Sequence, residues 1–265
     1  MSPRGISVAN TFCILFVLGV FLLAGAPVRE VEAGWSWTIP NSHSSYLNKL
    51  GYYHVVGEVL NTGDQAMKLV KITVKFYNAN NDLVASRSDY TTLDLLPAGR
   101  KSPFDVTLLD TVLSAKVHNY TLQLNYEQAS ARPQALNITS QYFYRDGLGA
   151  HIECQIKNIG TAATTNMKAV ATFYNSSGKV IGTTYSYSSP TNLNINKAGN
   201  ASIVFSGERA NLVETYALTA ESGEYAVVPE LPFGFGSMII AIIPISILIA
   251  ISRRRHEPPA SHFLG

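Results

Sequence analysis

The chain has 265 residues, 46% of them hydrophobic and only 14% charged, with 20 Lys+Arg against 18 Asp+Glu and a formal net charge of +2. The surplus belongs to the two ends, since residues 34–232 carry 15 of each sign. A neutral stretch without a basic stripe argues against nucleic-acid binding and against capture of acidic polymers by long-range charge.

Taken in order, the chain opens on Arg4 followed by the apolar run FCILFVLGVFLLA at residues 12–24. Val31-Glu32-Ala33 then places small residues at the −3 and −1 positions. The pattern predicts a signal peptide over 1–33, cleaved between Ala33 and Gly34. Cys13 leaves with it, so the exported chain retains Cys154 alone and has no intrachain disulfide. Core packing must therefore hold the fold, and units of roughly 100 residues can manage this. Cys154 alternates with Ile152 and Ile156 and reads as a small buried hydrophobe.

From residue 34 to residue 220 the pattern has period two, which predicts an all-β fold. Val70, Ile72, Val74 and Phe76 face one way, with Lys71, Thr73 and Lys75 opposite. Met167, Ala169, Ala171 and Phe173 repeat that arrangement, and His118, Tyr120, Leu122 and Leu124 form another inward row. Turn signals separate the runs at 61–63, 78–82, 97–99, 176–178 and 198–199.

The region reads twice. Residues 55–63 return as 152–160, and Phe76-Tyr77-Asn78 returns as Phe173-Tyr174-Asn175, at a spacing of 97. Ala98-Gly99 matches Ala198-Gly199 at a spacing of 100, which implies an insertion of about three residues between these landmarks. A period this long is a whole domain. The prediction is a first β-sandwich over 34–126, a linker over 127–133, a second sandwich over 134–220 and a stalk over 221–232. Comparing the copies turns Val55, Gly57 and Val59 inward and His54 and Glu58 outward.

Residues 233–251 carry no charge, and Arg253, Arg254 and Arg255 follow almost at once. About 20 apolar residues span a bilayer core, and the arginines stay on the cytoplasmic side. The expectation is a single-pass anchor over 233–252, an extracellular ectodomain and a cytoplasmic tail over 253–265.

The segments Gly57-Glu58-Val59-Leu60-Asn61-Thr62-Gly63, Val74-Lys75-Phe76-Tyr77-Asn78 and Leu95-Leu96-Pro97-Ala98-Gly99 resemble the FxLYD-type domain, an immunoglobulin-like β-sandwich of prokaryotic surface proteins. Phe76-Tyr77-Asn78 and Phe173-Tyr174-Asn175 stand where the family has Leu-Tyr-Asp. The resemblance implies tandem immunoglobulin-like sandwiches and a surface location, and it brings no catalytic residues. Pro229-Glu230-Leu231 before an apolar run and arginines is similar to the PEF-CTERM sorting signal of archaeal surface proteins, with Leu231 in place of phenylalanine. That similarity implies cleavage near the motif by a sortase.

Chemistry-bearing patterns are few. The sequence has no G-x-S-x-G, H-E-x-x-H or S-x-x-K set in a plausible context, so no catalytic, cofactor-binding or metal-ligating residue is assigned. His118 reads as a core histidine. His54 and His151 read as outward, isolated and one residue apart in repeat register. Asn119, Asn137, Asn175 and Asn200 head Asn-x-Ser/Thr sequons and are candidate glycosylation sites. Trp35 with Trp37, and Tyr185 with Tyr187, alternate as inward pairs would, and the expectation is that they fill the cores. Planar aromatics on a strand face would otherwise stack on sugars or anchor a protein.

The reading is a non-catalytic surface protein that binds, adheres or builds the envelope, with a protein or an envelope polysaccharide as partner. An accessory or sensor subunit of a membrane complex such as a transporter is one alternative. A hydrolase on a β-sandwich is another.

Overall fold

Alternating apolar and polar residues produce an all-β chain of several antiparallel sheets. The computed structural model describes residues 36–227. The signal segment, the spanning segment and the tail lie outside the described residues, as do Ala33, Gly34, Trp35, Pro229, Glu230, Leu231, Arg253, Arg254 and Arg255. In chain order the strands are β1 Trp37–Thr38, β2 Ser44–Leu47, β3 Tyr53–Asn61, β4 Ala66–Tyr77, β5 Leu83–Tyr90, β6 Leu95–Leu96 and β7 Lys101–Leu108. The short helix α1, Thr111–Ser114, leads to β8 Asn119–Ala129, β9 Gln134–Asp146, β10 Gly149–Asn158, β11 Lys168–Tyr174, β12 Val180–Tyr187 and β13 Ala198–Ser206. A 3-10 turn, Glu208–Leu212, precedes β14 Thr215–Glu221 and β15 Ala226–Val227. β8 runs on to Ala129, so only residues 130–133 lie between strands there.

In the N-terminal half two four-stranded sheets pack face to face. One joins β1, β2 and β7 to β3, and the other joins β5, β6 and β8 to β4. Val55 and Val59 of β3 and Phe104, Val106 and Leu108 of β7 meet Met67, Ile72, Val74 and Phe76 of β4. Each such fully buried large side chain contributes about 1.5–3 kcal/mol relative to exposure. The C-terminal half is a seven-stranded sheet in the order β12-β11-β14-β15-β9-β10-β13, antiparallel except where β15 meets β9. Its two ends share one core, Ile152, Cys154, Ile156 and Ile203 against Ala169, Ala171, Phe173 and Ile181, so the sheet folds back on itself through the two-residue β15.

The two halves carry the same turns. Three pairs of residues with positive φ recur at a spacing of 97: Leu69 (49°) and Asn166 (50°), Asn81 (64°) and Gly178 (70°), Gly99 (69°) and Asn196 (62°). The last pair corrects the alignment. Gly99 N–H donates to Asn61 O at 2.9 Å, and Asn196 N–H donates to Asn158 O at 2.9 Å. The counterpart of Gly99 is thus Asn196, no insertion separates these landmarks, and Ala198-Gly199 lies inside β13, not at a turn. The same spacing makes His54 and His151 true counterparts.

Three further side chains depart from the sequence pattern. His118 precedes β8 and is exposed. Glu58 is buried at 1% exposure, and His151 is buried at 5%. Glu58 is buried because the outer face of β3 packs against β12. Val56, Leu93, Leu95, Val170 and Val180 are buried without belonging to either core. Tyr174 O–H donates to Glu58 Oε1 at 2.6 Å, and Lys101 Nζ donates to Oε2 at 3.0 Å. Alongside, Val180 N–H donates to Ser42 O at 2.8 Å, and the Ser44 hydroxyl donates to Val180 O.

Candidate binding surface

Each histidine of the repeat sits across a strand pair from a tyrosine and stacks on it. The His54 and Tyr46 rings are 4.7 Å apart and 4° from parallel, and those of His151 and Tyr144 are 4.6 Å apart and 8° from parallel. Neither histidine is isolated. His54 Nδ1 lies 3.0 Å from Asp105 Oδ1 and from the Thr107 hydroxyl, and Nε2 lies 3.0 Å from Asn48 Nδ2. Asn48 Oδ1 accepts from the backbone N–H of Leu50 and Tyr52, both at 3.0 Å. That fixes the amide so that it donates to Nε2, which places the ring proton on Nδ1 facing Asp105. Both nitrogens are therefore engaged, and the hydroxyl lies on the carboxylate side of the ring, where it gains no base. His151 Nε2 bonds Asp146 Oδ1 at 2.8 Å. The Leu148 N–H, and then the His151 bond, hold the Asp146 carboxyl below its ordinary range.

An ionic cluster, buried at Lys168 and Glu221 and open to solvent at Asp94, joins the halves. Lys168 Nζ donates to Thr92 O and Asp94 Oδ1, both at 2.9 Å, and lies 3.1 Å from Glu221 Oε1. Glu221 also accepts from the backbone N–H of Asp94 at 2.7 Å. Burial works against charge on Lys168, but Glu221 and Asp94 outweigh it and raise the ammonium above its ordinary value.

Tyr185, Tyr187 and Trp37 are not core. Tyr185 and Tyr187 are 51% and 50% exposed on β12, the edge of its sheet, and Trp37 is 40% exposed. The two tyrosine rings meet edge to face at 5.8 Å, with Lys168 Nζ 5.5 Å from the Tyr185 ring. Tyr187 pairs with Lys168 across the strands as Tyr90 pairs with Lys71. Tyr90 is 52% exposed and lies under the Lys71 ammonium at 5.9 Å. Period-two alternation finds the face of a strand but not whether another layer covers it. The lysine opposite Tyr187 and Tyr90 was the available signal, whereas Tyr185 stands opposite Val170.

The sequons scatter. Asn119 begins β8, exposed, with Nδ2 donating to Asn81 Oδ1 at 3.1 Å. Asn137 is half-buried on β9. Asn175 builds a turn, accepting from the N–H of Ser177 at 3.1 Å and of Lys179 at 2.9 Å. Asn200 is exposed on β13. Among the described residues no group of three or more His, Cys, Asp or Glu is placed to hold a metal, and no helix is long and apolar enough to cross a membrane.

No family model matches the chain, and no curated protein matches it. Among solved structures it is similar to red sea bream transglutaminase, at 10% identity and a TM-score of 0.23, over 80% of this chain and 33% of that one. The chain thus spans a third of that protein, and a likeness at this score fixes neither fold family nor activity.

Proposed function

We propose that the protein is a membrane-anchored surface protein whose role is binding or adhesion, built of two tandem immunoglobulin-like β-sandwiches of FxLYD type. Residues 1–33 export it, 233–252 hold it in the membrane, and Arg253, Arg254 and Arg255 stay inside. Cleavage at Pro229-Glu230-Leu231, as in a PEF-CTERM sorting signal, is the alternative to that retained anchor. The observation that carries a binding role is the exposed pair Tyr185 and Tyr187 on an edge strand, braced by the buried Lys168 cluster. Rigid aromatics give large contact area at small entropic cost, and stacking on a sugar ring or a protein side chain suits them. In this reading the protein is non-catalytic, and the rings of His54 and His151 serve to tie neighbouring strands together.

Affinity capture from native membranes tests the proposal. The full chain is expected to retain an envelope polysaccharide or a surface protein, and Tyr185→Ser with Tyr187→Ser to lose it while folding normally. Equal capture by the double variant contradicts the role of this surface. A stoichiometric transporter partner instead supports the accessory-subunit reading.

A further inference from the structure

A second surface lies where β2 meets the 3-10 turn Glu208–Leu212. Residues of both line a cleft of about 260 Å³, just under the ~300–1,000 Å³ of pockets for drug-sized ligands. Its occupant is therefore one small unit. Tyr46 lies parallel to His54 and 3.9 Å from the guanidinium carbon of Arg209. Burial pushes the Tyr46 hydroxyl up to about 12, so it remains protonated. Arg209 Nε–H donates to Ile181 O at 3.1 Å. That bond and the stacking hold the fork in place, and among the described residues the Nη groups have no hydrogen-bond partner. Lys49 and Glu208 pair at the rim at 3.3 Å, with side chains 80% and 41% exposed. Leu50, 71% exposed, and the half-buried Phe205 supply apolar wall. The lining charges are two positive and one negative. Asp105 lies behind His54, bound to it and to Thr107, and does not line the cleft, although its charge, like that of Glu208, acts on Arg209.

We infer that this cleft binds a single carboxylate-bearing sugar unit, a hexuronate, with the Arg209 fork on the carboxylate and Leu50 and Phe205 against the C–H face of the ring. A planar guanidinium matches a carboxylate bidentately, and one already immobilised loses little further entropy on binding. The volume suits one ring, and an apolar wall beside a polar grip suits a sugar better than an extended acidic peptide. Recognition here is local, so the neutral ectodomain charge does not oppose it. The site is separate from the Tyr185–Tyr187 surface, and its failure leaves that surface untouched.

The test is titration of the full-length chain in detergent with methyl β-glucuronide, methyl β-glucoside, inorganic phosphate and an acidic peptide. The glucuronide is expected to bind at least tenfold tighter than the other three. Arg209→Ala is expected to weaken it at least tenfold, Lys49→Glu to weaken it, and Glu208→Gln to tighten it several-fold. The last two change exposed side chains and keep the test decisive if Arg209→Ala does not fold. Absence of glucuronide binding overturns the inference. So does equal binding of the glucoside, phosphate or peptide, or indifference to Lys49→Glu and Glu208→Gln.

Discussion

Asn61 and Asn158 do the same work in both halves, and each is fully buried. Nδ2 of Asn61 donates to Gln65 O at 2.8 Å and Leu96 O at 3.1 Å, and that of Asn158 to Ala162 O at 2.8 Å and Leu193 O at 3.1 Å. Each Oδ1 accepts from the glycine two residues on, Gly63 or Gly160. Truncation removes three hydrogen bonds from a fully buried amide, one of them to a buried carbonyl, so Asn61→Ala and Asn158→Ala are each expected to cost about 1–3 kcal/mol in denaturant melts. Phe76→Ala and Phe173→Ala are expected to cost about 3–5 kcal/mol each by the same measurement, since both rings are fully buried. Leu69 runs the other way. It is a half-exposed leucine at φ 49° where its counterpart is Asn166. Asparagine tolerates that left-handed conformation better. Leu69→Asn is expected to raise stability by about 0.5–1 kcal/mol, and a loss would show that Leu69 is held by packing instead.

At the level of elements, the inward faces of β4, β10 and β11 were legible from their apolar rows, and that of β3, apolar on both sides, only by comparison with β10. Val55, Val59, Val74, Phe76, Ile152 and Phe173 all lie in the cores. The outward faces were not legible. Glu58 and Lys168 look like solvated charges in sequence, yet partners from the opposite half bury them, and no local pattern reports a partner 74 or 116 residues away. The alignment at 198–199 slipped for a related reason. Glycine and asparagine both accept positive φ, so Asn196 hid as the counterpart of Gly99 while a chance Ala-Gly three residues on attracted the match. The Lys168 cluster gives a signed pH prediction. A lysine raised in the folded state adds stability that is complete below its unfolded value, ordinarily 10.5, and is lost as pH rises through the folded value. The stability gap between the natural chain and Lys168→Met is expected to hold from pH 7 to about 10 and to shrink above 10.5. A gap that grows with alkali contradicts the cluster as described.

For the whole molecule, residues 36–227 belong to one compact unit. The halves share buried carboxylates and buried valines, so the edge tyrosines sit on a frame that cannot hinge freely without exposing Glu58 and Glu221. Such a frame suits display from a membrane, where a fixed presentation of Tyr185 and Tyr187 limits the entropy lost on binding. The binding role proposed for Tyr185 and Tyr187 depends on that display. The most direct test is protease shaving of intact cells combined with intact-mass analysis of the mature chain. The expected result is a mature N-terminus at Gly34, release of peptides from residues 34–232 and protection of the tail at 253–265. A mature chain ending near Glu230 would replace the permanent anchor with a sorting event while leaving the ectodomain outside. Protection of 34–232 with release of the tail would reverse the orientation, and the surface-binding function would fall with it.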